Sequence, residues 1–350
     1  MAEQPKGSVD ERTFVRRTLI VIGLTALAFI AWQLRSLFLM LFGAVVVATV
    51  FRALADRIRK ATHGSEGLSV AIAIILVLGA IAGLGALFGN HVAEQVDALR
   101  ETLPAAWQSF EQRVGDLGLG DQLRQLAAGV RQSSGSFANL SAAVMSIGNG
   151  IAEMLIVLFG GMYLAAQPRV YKSGAIKLVP SGKRPLVAEA MDESETALRL
   201  WLKGQLIAMV AVGLLTGIGL WLLGMPSALV LGLLAGILEF IPFLGPFLAA
   251  IPAILLALAV SPDLALWVVV LYTAVQQFEG YLLTPLVQQY SVDLPGVVLL
   301  FSLLGFGLLF GTLGVILAAP LTVVTYVLVK RLYVIETLHT PTPIPGEAKR

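Results

Sequence analysis

The chain has 350 residues, 57% of them hydrophobic and 13% charged, with a mean hydropathy of +0.85. A soluble chain carries about 25% charged residues, so this composition cannot cover a water-facing surface and reads as an integral membrane protein. The net charge of +2 gives no basic field for nucleic acid, and the absence of Cys excludes disulfides, thiolate metal sites and Cys nucleophiles. His63, His91 and His339 share no ligand spacing, so neither a metal, nor another cofactor, nor enzyme activity is expected.

A crossing helix needs about 20 apolar residues. Apolar runs occur at 18–34, 36–51, 68–89, 151–166, 204–224, 226–260, 264–278 and 294–329. The first two are separated by Arg35 alone and predict a tight helical hairpin with Trp32 and Arg35 at an interface; one long tilted helix is the alternative. Lys6, Arg12, Arg16 and Arg17 precede an apolar run that continues through Ala26-Leu27-Ala28, which predicts a retained signal anchor rather than a cleaved leader.

Basic residues cluster in the tail 1–17, in the loop with Arg52, Arg57, Arg59 and Lys60, in 167–203, and at Lys330 and Arg331. The excess of Lys and Arg places all four clusters on the cytoplasmic side. Residues 90–150 carry four Arg, no Lys and six acids, and fit the outside. Within them Val92, Val96, Leu99, Leu103, Trp107, Phe110 and Val114 form a stripe of alternating three- and four-residue steps, an amphipathic helix for the membrane face, the chain itself or a partner. Ser133 to Gly150 is rich in Ser, Gly and Asn and reads as a connector.

The C-terminal half repeats. A shift of 69 positions lays Pro226 on Pro295, Gly236 on Gly305, Gly245 on Gly314 and Leu248-Ala249-Ala250 on Leu317-Ala318-Ala319, with nine of 25 positions identical. Each copy, 204–260 and 264–329, has a span followed by a long apolar segment broken near its middle. Pro242-Phe243-Leu244-Gly245-Pro246 breaks the first; Gly305, Gly307, Gly311 and Gly314 break the second, with Pro320 beyond them. Broken helices at membrane depth suit a cavity lined by protein or water, and paired ones point to a transporter's substrate site. The fold class expected is an all-α polytopic membrane protein of about eight hydrophobic segments, six spans plus two re-entrant helical hairpins in a C-terminal inverted repeat. If each long segment crosses once instead, the repeats are parallel, and charge parity does not separate the two.

The organisation predicted is a cytoplasmic tail 1–17, spans in 18–89, an extracytoplasmic region 90–150, a fourth span and basic segment 151–203, a transport core 204–332 and a cytoplasmic tail 333–350. Residues 204–329 contain no Lys or Arg and four acids. Asp263, in Ser261-Pro262-Asp263, and Asp293, before Leu294-Pro295, read as interface and capping residues. Glu239 differs, because it ends a half-helix between Leu238 and Phe240, where a carboxylate is costly unless protonated, paired or cation-bound. No basic residue nearby in sequence can pair with it, so Arg199, Lys203 or a distant span would have to. Gln276, Gln277, Glu279 and Tyr281, with Thr284-Pro285 ending the span, form a polar cluster that lines a path or ties helices together. The break at Pro246 offers the N-terminal amides of a half-helix to an anion or a polar oxygen.

Pro180 with Arg184, the string Glu239-Phe240-Ile241-Pro242 before Gly245-Pro246, the string Glu279-Gly280 before Leu282, Thr284 and Pro285, and the ending Phe310-Gly311, Gly314, Leu317-Ala318 and Pro320-Leu321 resemble the autoinducer-2 exporter (AI-2E) family of bacterial permease-like proteins. Ala53 and Ser36 stand where that family's pattern commonly has proline. The resemblance implies a multi-spanning inner-membrane exporter with both termini cytoplasmic, driven by a proton or sodium gradient rather than ATP. It further implies autoinducer-2 or a similar small polar substrate, and a homo-oligomer, a pentamer, with elevator-like hairpins. A sodium/proton antiporter is the first rival, and a membrane scaffold using the 92–114 stripe is the second.

Overall fold

A computed structural model describes residues 11–83, 85–86, 140–283 and 294–342, with side chains placed from residue 14 in the first helix and from 152 in the fourth. The described residues form ten α-helices and no strand. Five helical stretches are long and apolar enough to cross a membrane: Phe14–Gln33, Arg35–Thr62, Glu66–Gly83, Ser181–Leu222 and Gly296–Ile335.

Helices α1 (Glu11–Gln33) and α2 (Arg35–Thr62) are divided by the single residue Leu34. The expected hairpin is absent. The Leu34 N–H donates to Ile30 O and the Phe38 N–H to Leu34 O, so the helical ladder runs through the junction, and α1 is exposed along its placed length. Arg35 disposes of its charge without a turn: its guanidinium donates to Trp32 O at 3.3 Å and lies 4.6 Å from that ring's centroid.

Helix α3 (Glu66–Gly83) follows, and then α4 (Leu140–Ala166). Residues 140–150, expected as connector, are therefore helical, while the 92–114 stripe lies outside the described residues. Small residues bring α2 and α4 together: a Cβ on Gly161 would stand 2.6 Å from a Val47 methyl, and one on Gly160 3.0 Å from Ala44 Cβ.

After α5 (Pro168–Lys177) comes a turn in which the Arg184 guanidinium donates to Val179 O and Lys177 O. Helix α6 (Arg184–Leu222) is then continuous for 39 residues, about 58 Å at 1.5 Å per residue. It joins the basic segment to the expected span at 204 without a break. At its polar end Arg199 pairs with Asp56 of α2 at 2.5 Å and with Glu195 at 3.3 Å. Lys172 pairs with Asp192, Arg331 with Glu189 and Glu193, and Arg52 and Arg169 with Glu66. Three of the basic clusters thus gather at one end of the helices.

Helices α7 (Ala228–Leu238) and α8 (Leu244–Val260) fold back on each other. Ala228 and Leu231 share a buried cluster with Ala253, Leu256 and Ala257, whereas Ala235 packs with Ala249 nearer the turn, so the pairing is antiparallel. Helix α9 (Pro262–Phe278) starts at Ser261, whose hydroxyl accepts the Leu264 N–H at 3.1 Å, the cap its sequence predicts, and ends in a wider turn over Glu279–Leu283.

Helix α10 (Gly296–Val329) has one non-helical residue, Gly311, with φ 67° and ψ −146°. The chain reverses there. A Cβ on Gly314 would lie 2.0 Å from Phe306 O, and one on Gly307 2.9 Å from a Val315 methyl, although residues eight apart on a straight helix are about 12 Å apart. Gly245 makes the same approach in the first reversal, its Cβ position 2.0 Å from Leu238 O. The two glycines aligned by the 69-residue shift therefore act alike, since each lets the second helix start against the last carbonyls of the first. Gly305 and Pro320 lie within the two arms and break neither.

Replacement of Gly245 or Gly314 by Ala is expected to destabilise the fold by about 1–3 kcal/mol. Thermal unfolding of the purified protein reads this as a lower midpoint, with Gly305→Ala, which meets nothing within 4 Å, staying at or above wild type.

Candidate functional site

Of the residues singled out for transport, Glu239, Pro242, Gly245, Pro246, Gln276 and Glu279 lie around the first reversal, at the tip Glu239–Phe243. Helix α7 reaches it along α6. A Cβ on Gly232 would stand 2.5 Å from Gly217 Cα, and one on Gly236 2.8 Å from Met209 O and 3.1 Å from Gly213 Cα. Two Gly-x-x-x-Gly pairs, 213 and 217 facing 232 and 236, thus set backbone against backbone, a helix contact common in membranes. Beside this contact lies an apolar groove of about 560 Å³, floored by the glycines and rimmed by Leu206, Val210, Leu233 and Ile237.

The Glu239 N–H still donates to Ala235 O, but the helix ends at this residue. Phe243 takes a positive φ of 66°, and the chain turns back. Glu239 is 3% exposed although charged in its ordinary form. Its carboxyl group lies close enough to the carboxyl of half-buried Glu279, at the end of α9, for the two to interact. Glu239 Oε2 is buried and has no hydrogen-bond partner among the described residues. Two carboxyl groups that face each other this closely hold a proton or a cation between them, because like charges cannot both remain bare in a dry site.

The other anticipated residues divide. Gln276 donates its amide to Glu279 Oε2 and belongs to the site. Gln277 and Tyr281 are exposed, Tyr281 at 76%. Thr284 and Pro285 lie outside the described residues. Arg199 is not the partner of Glu239, because Asp56 and Glu195 hold its guanidinium. Lys203 is exposed on α6.

The expected amide site for an anion is also corrected. The Leu244 N–H donates to Pro242 O at 2.8 Å, the Gly245 N–H donates to Ile241 O at 2.9 Å, and Pro246 has no N–H. The tip's own carbonyls consume these first amides of α8. Pro242 and Gly245 therefore shape the turn, and two of the amides at the start of α8 are taken up by the tip itself.

Gln205 of α6 was not anticipated. Its amide donates to the backbone O of Glu239 at 2.6 Å. It follows Gly204 at the start of a stretch, 204–224, that is otherwise apolar, small or Thr/Ser, so an amide there was the available signal. Four residues earlier, Trp201 meets Phe240 of the tip edge-on, with centroids 5.8 Å apart.

If the two carboxyls interact as placed, Glu239→Gln and Glu279→Gln are non-additive. A double-mutant cycle on unfolding free energy is expected to give a coupling of about 1 kcal/mol or more; additive values would show the groups to be independent.

Comparison with known proteins follows the same residues. A model of the family described as "AI-2E family transporter" matches residues 19–333. YrrI of Bacillus subtilis (strain 168), a transport protein by name, is 31% identical over 214 residues, 60% of this chain and 61% of YrrI. YueF of the same organism, likewise named for transport, is 29% identical over 269 residues, 72% of this chain and 73% of YueF. The AI-2 transport protein TqsA of Escherichia coli (strain K12) is 24% identical over 267 residues, 73% of this chain and 75% of TqsA. The chain thus spans less than two thirds of YrrI's length and about three quarters of the other two.

Proposed function

The chain belongs to the AI-2E family of transporters, a multi-pass membrane family and not an enzyme family, and from that premise we propose that it is a secondary transporter exporting a small polar molecule in exchange for, or together with, a proton or sodium ion. The observation that carries the proposal is the buried Glu239–Glu279 pair, with one Glu239 oxygen left unpartnered at the tip of a broken helix. A structural carboxylate at such a position finds a cation or a donor for each oxygen; one left open is a place for a transported or coupling species.

Two helical reversals in the Lys/Arg-free stretch 204–329 support reading them as re-entrant hairpins of an inverted repeat, moving in alternating access. Neither hairpin arm of the first is a full crossing: α7 has 11 residues and α8 has 17, against about 20 needed. The gathering of three basic clusters at one end supports a bacterial inner-membrane topology with that end, and the C-terminus, cytoplasmic; a cytoplasmic N-terminus rests on its basic tail alone, because the continuous path of α1 into α2 sets that tail and the Arg52–Lys60 cluster at opposite ends. The transport core is taken to assemble as a homo-oligomer, a pentamer, in the bilayer.

Autoinducer-2, carried by name by TqsA, is the leading substrate. The acidic pair favours a neutral hydroxylated or a cationic solute over an anion. The same pair also suits sodium/proton exchange without an organic substrate, which is the second reading. A scaffold role leaves the pair without a purpose.

Proteoliposomes under an imposed pH gradient test the proposal. Wild type is expected to accumulate autoinducer-2, and Glu239→Gln and Glu279→Gln, folded as judged by their elution and melting, to lose the gradient-dependent part. Equal accumulation by wild type and both variants would remove the pair from the mechanism. Sodium-dependent proton movement in the absence of autoinducer-2 transport would establish the antiporter reading instead.

A further inference from the structure

We infer that Gln205 is a positioning residue for the carboxyl pair, holding the Glu239 backbone so that the Glu239 side chain meets Glu279. The inference deepens the transport reading and rests on it for its functional meaning, although its geometry stands without it.

The end of α7 creates the need. Glu239 is the residue at which the helix stops, and the reversal at Phe243 removes the amide that a continuing helix would supply to the Glu239 carbonyl. A carbonyl buried at membrane depth without a donor is costly. The Gln205 amide supplies one at 2.6 Å.

The reach depends on the glycine contact. Trp201, Gln205, Met209, Gly213 and Gly217 succeed one another at steps of four and lie on one stripe of α6. Across from them stand Phe240, Glu239, Gly236 and Gly232 in antiparallel order, by the ring contact, the hydrogen bond and the close approaches. Only with the two backbones this close does a Gln side chain span to the opposite carbonyl. The hydrogen bond acts on the residue that carries the carboxyl, one backbone atom from its Cα, so losing it frees the group whose placement opposite Glu279 the site requires.

Other titratable groups stand on the elements packed around the pair. Helix α8 has none, and the arms of α10 have only Tyr326. On α9 stand Asp263, in its first turn, and Tyr272, which donates its hydroxyl to Ala249 O at 3.2 Å. On α6 stand Arg199, held by Asp56 and Glu195, and Lys203, exposed two residues before Gln205; none of these is altered in the variants below.

The test uses the full chain in lipid vesicles and reads the infrared C=O band of the protonated Glu239 carboxyl, assigned by its loss in Glu239→Gln. Gln205→Leu keeps the volume and removes the donor. It is expected to move the pH at which that band is half lost by about half a unit or more, a change of roughly threefold in proton affinity, and to lose gradient-driven transport. Gln205→Asn keeps the amide but shortens its arm by one carbon, so it is expected to shift the band in the same direction as Gln205→Leu and to lose gradient-driven transport. Should the Leu variant fail to fold, the Asn variant carries the test. A band unmoved in the folded variant would overturn the inference. The infrared reading separates the two levels of failure: a wild type that does not transport but whose band responds removes the transport reading alone, and a transporting wild type with an unresponsive band removes the role of Gln205 alone.

Discussion

The contact between α6 and α7 leaves no room for a side chain. Gly213 and Gly217 meet Gly232 and Gly236 so closely that a single methyl on Gly232 would overlap the opposite backbone at 2.5 Å. Lipid offers apolar side chains nothing that they lack, so helices in a membrane associate through such close packing and through hydrogen bonds. From this contact the register follows, and from the register the site. Gln205 comes opposite the last carbonyl of α7, Trp201 comes opposite Phe240, and the residue whose carbonyl is held presents its carboxyl to α9.

The two reversals share a geometry but not a chemistry. Gly245 and Gly314 each set the second arm against a carbonyl of the first, at the same 2.0 Å for a hypothetical Cβ. Under the shift that aligns them, Glu239 falls on Leu308, which is 89% exposed and apolar. Chain reversal needs only glycine, and both copies retain it. Holding a buried charge needs partners on neighbouring helices: α6 and α9 provide them at the first tip, whereas the second reversal occurs within α10 and its C-terminal arm packs on α2 and α6 through Leu317, Ala319, Val323 and Val327. A repeat in sequence can thus fix shape twice and chemistry once.

That distinction also separates what was legible in the chain from what was not. The reversals were legible, because proline and glycine at matched positions are local signals, and so was the Ser261 cap. Glu239 was legible as an anomaly, a carboxylate in an apolar run. Its partner was not: Glu279 and Arg199 both lie 40 positions from it, and opposite charge favoured Arg199 or Lys203, whereas the fold delivers the Arg199 guanidinium to Asp56, 143 positions away. The first two runs misled for a local reason. A lone arginine between apolar stretches resembles a turn, yet stacking on Trp32 and one hydrogen bond to its carbonyl let Arg35 stay on a helical path, with its long stem along the apolar surface. The glycine pairs on α6 and α7 were visible as Gly-x-x-x-Gly spacings, but only the fold shows that they face each other.

The attachments of α6 are unequal along its length. Its polar end is tied to α2 by the Arg199–Asp56 pair, to α5 by Lys172–Asp192 and to the end of α10 by Arg331 with Glu189 and Glu193, over a cluster that includes Leu39, Val46, Leu198 and Trp201. Each exposed pair contributes little alone, but together they cross three separate elements, so displacing this end disrupts all of them at once. Its apolar end meets α7 through glycine backbone and through side chains, Leu220 clustering with Ala228 and Leu231, and Val212 with Ala235. Beside that surface, the tip is held to α6 by one amide hydrogen bond and one aromatic edge. The α7–α8 hairpin is thus fixed to α6 by close apolar packing, where the polar end of α6 is fixed by charge. The Gln205 bond and the Trp201–Phe240 edge are the contacts that set where the tip, and with it the Glu239 carboxyl, stands.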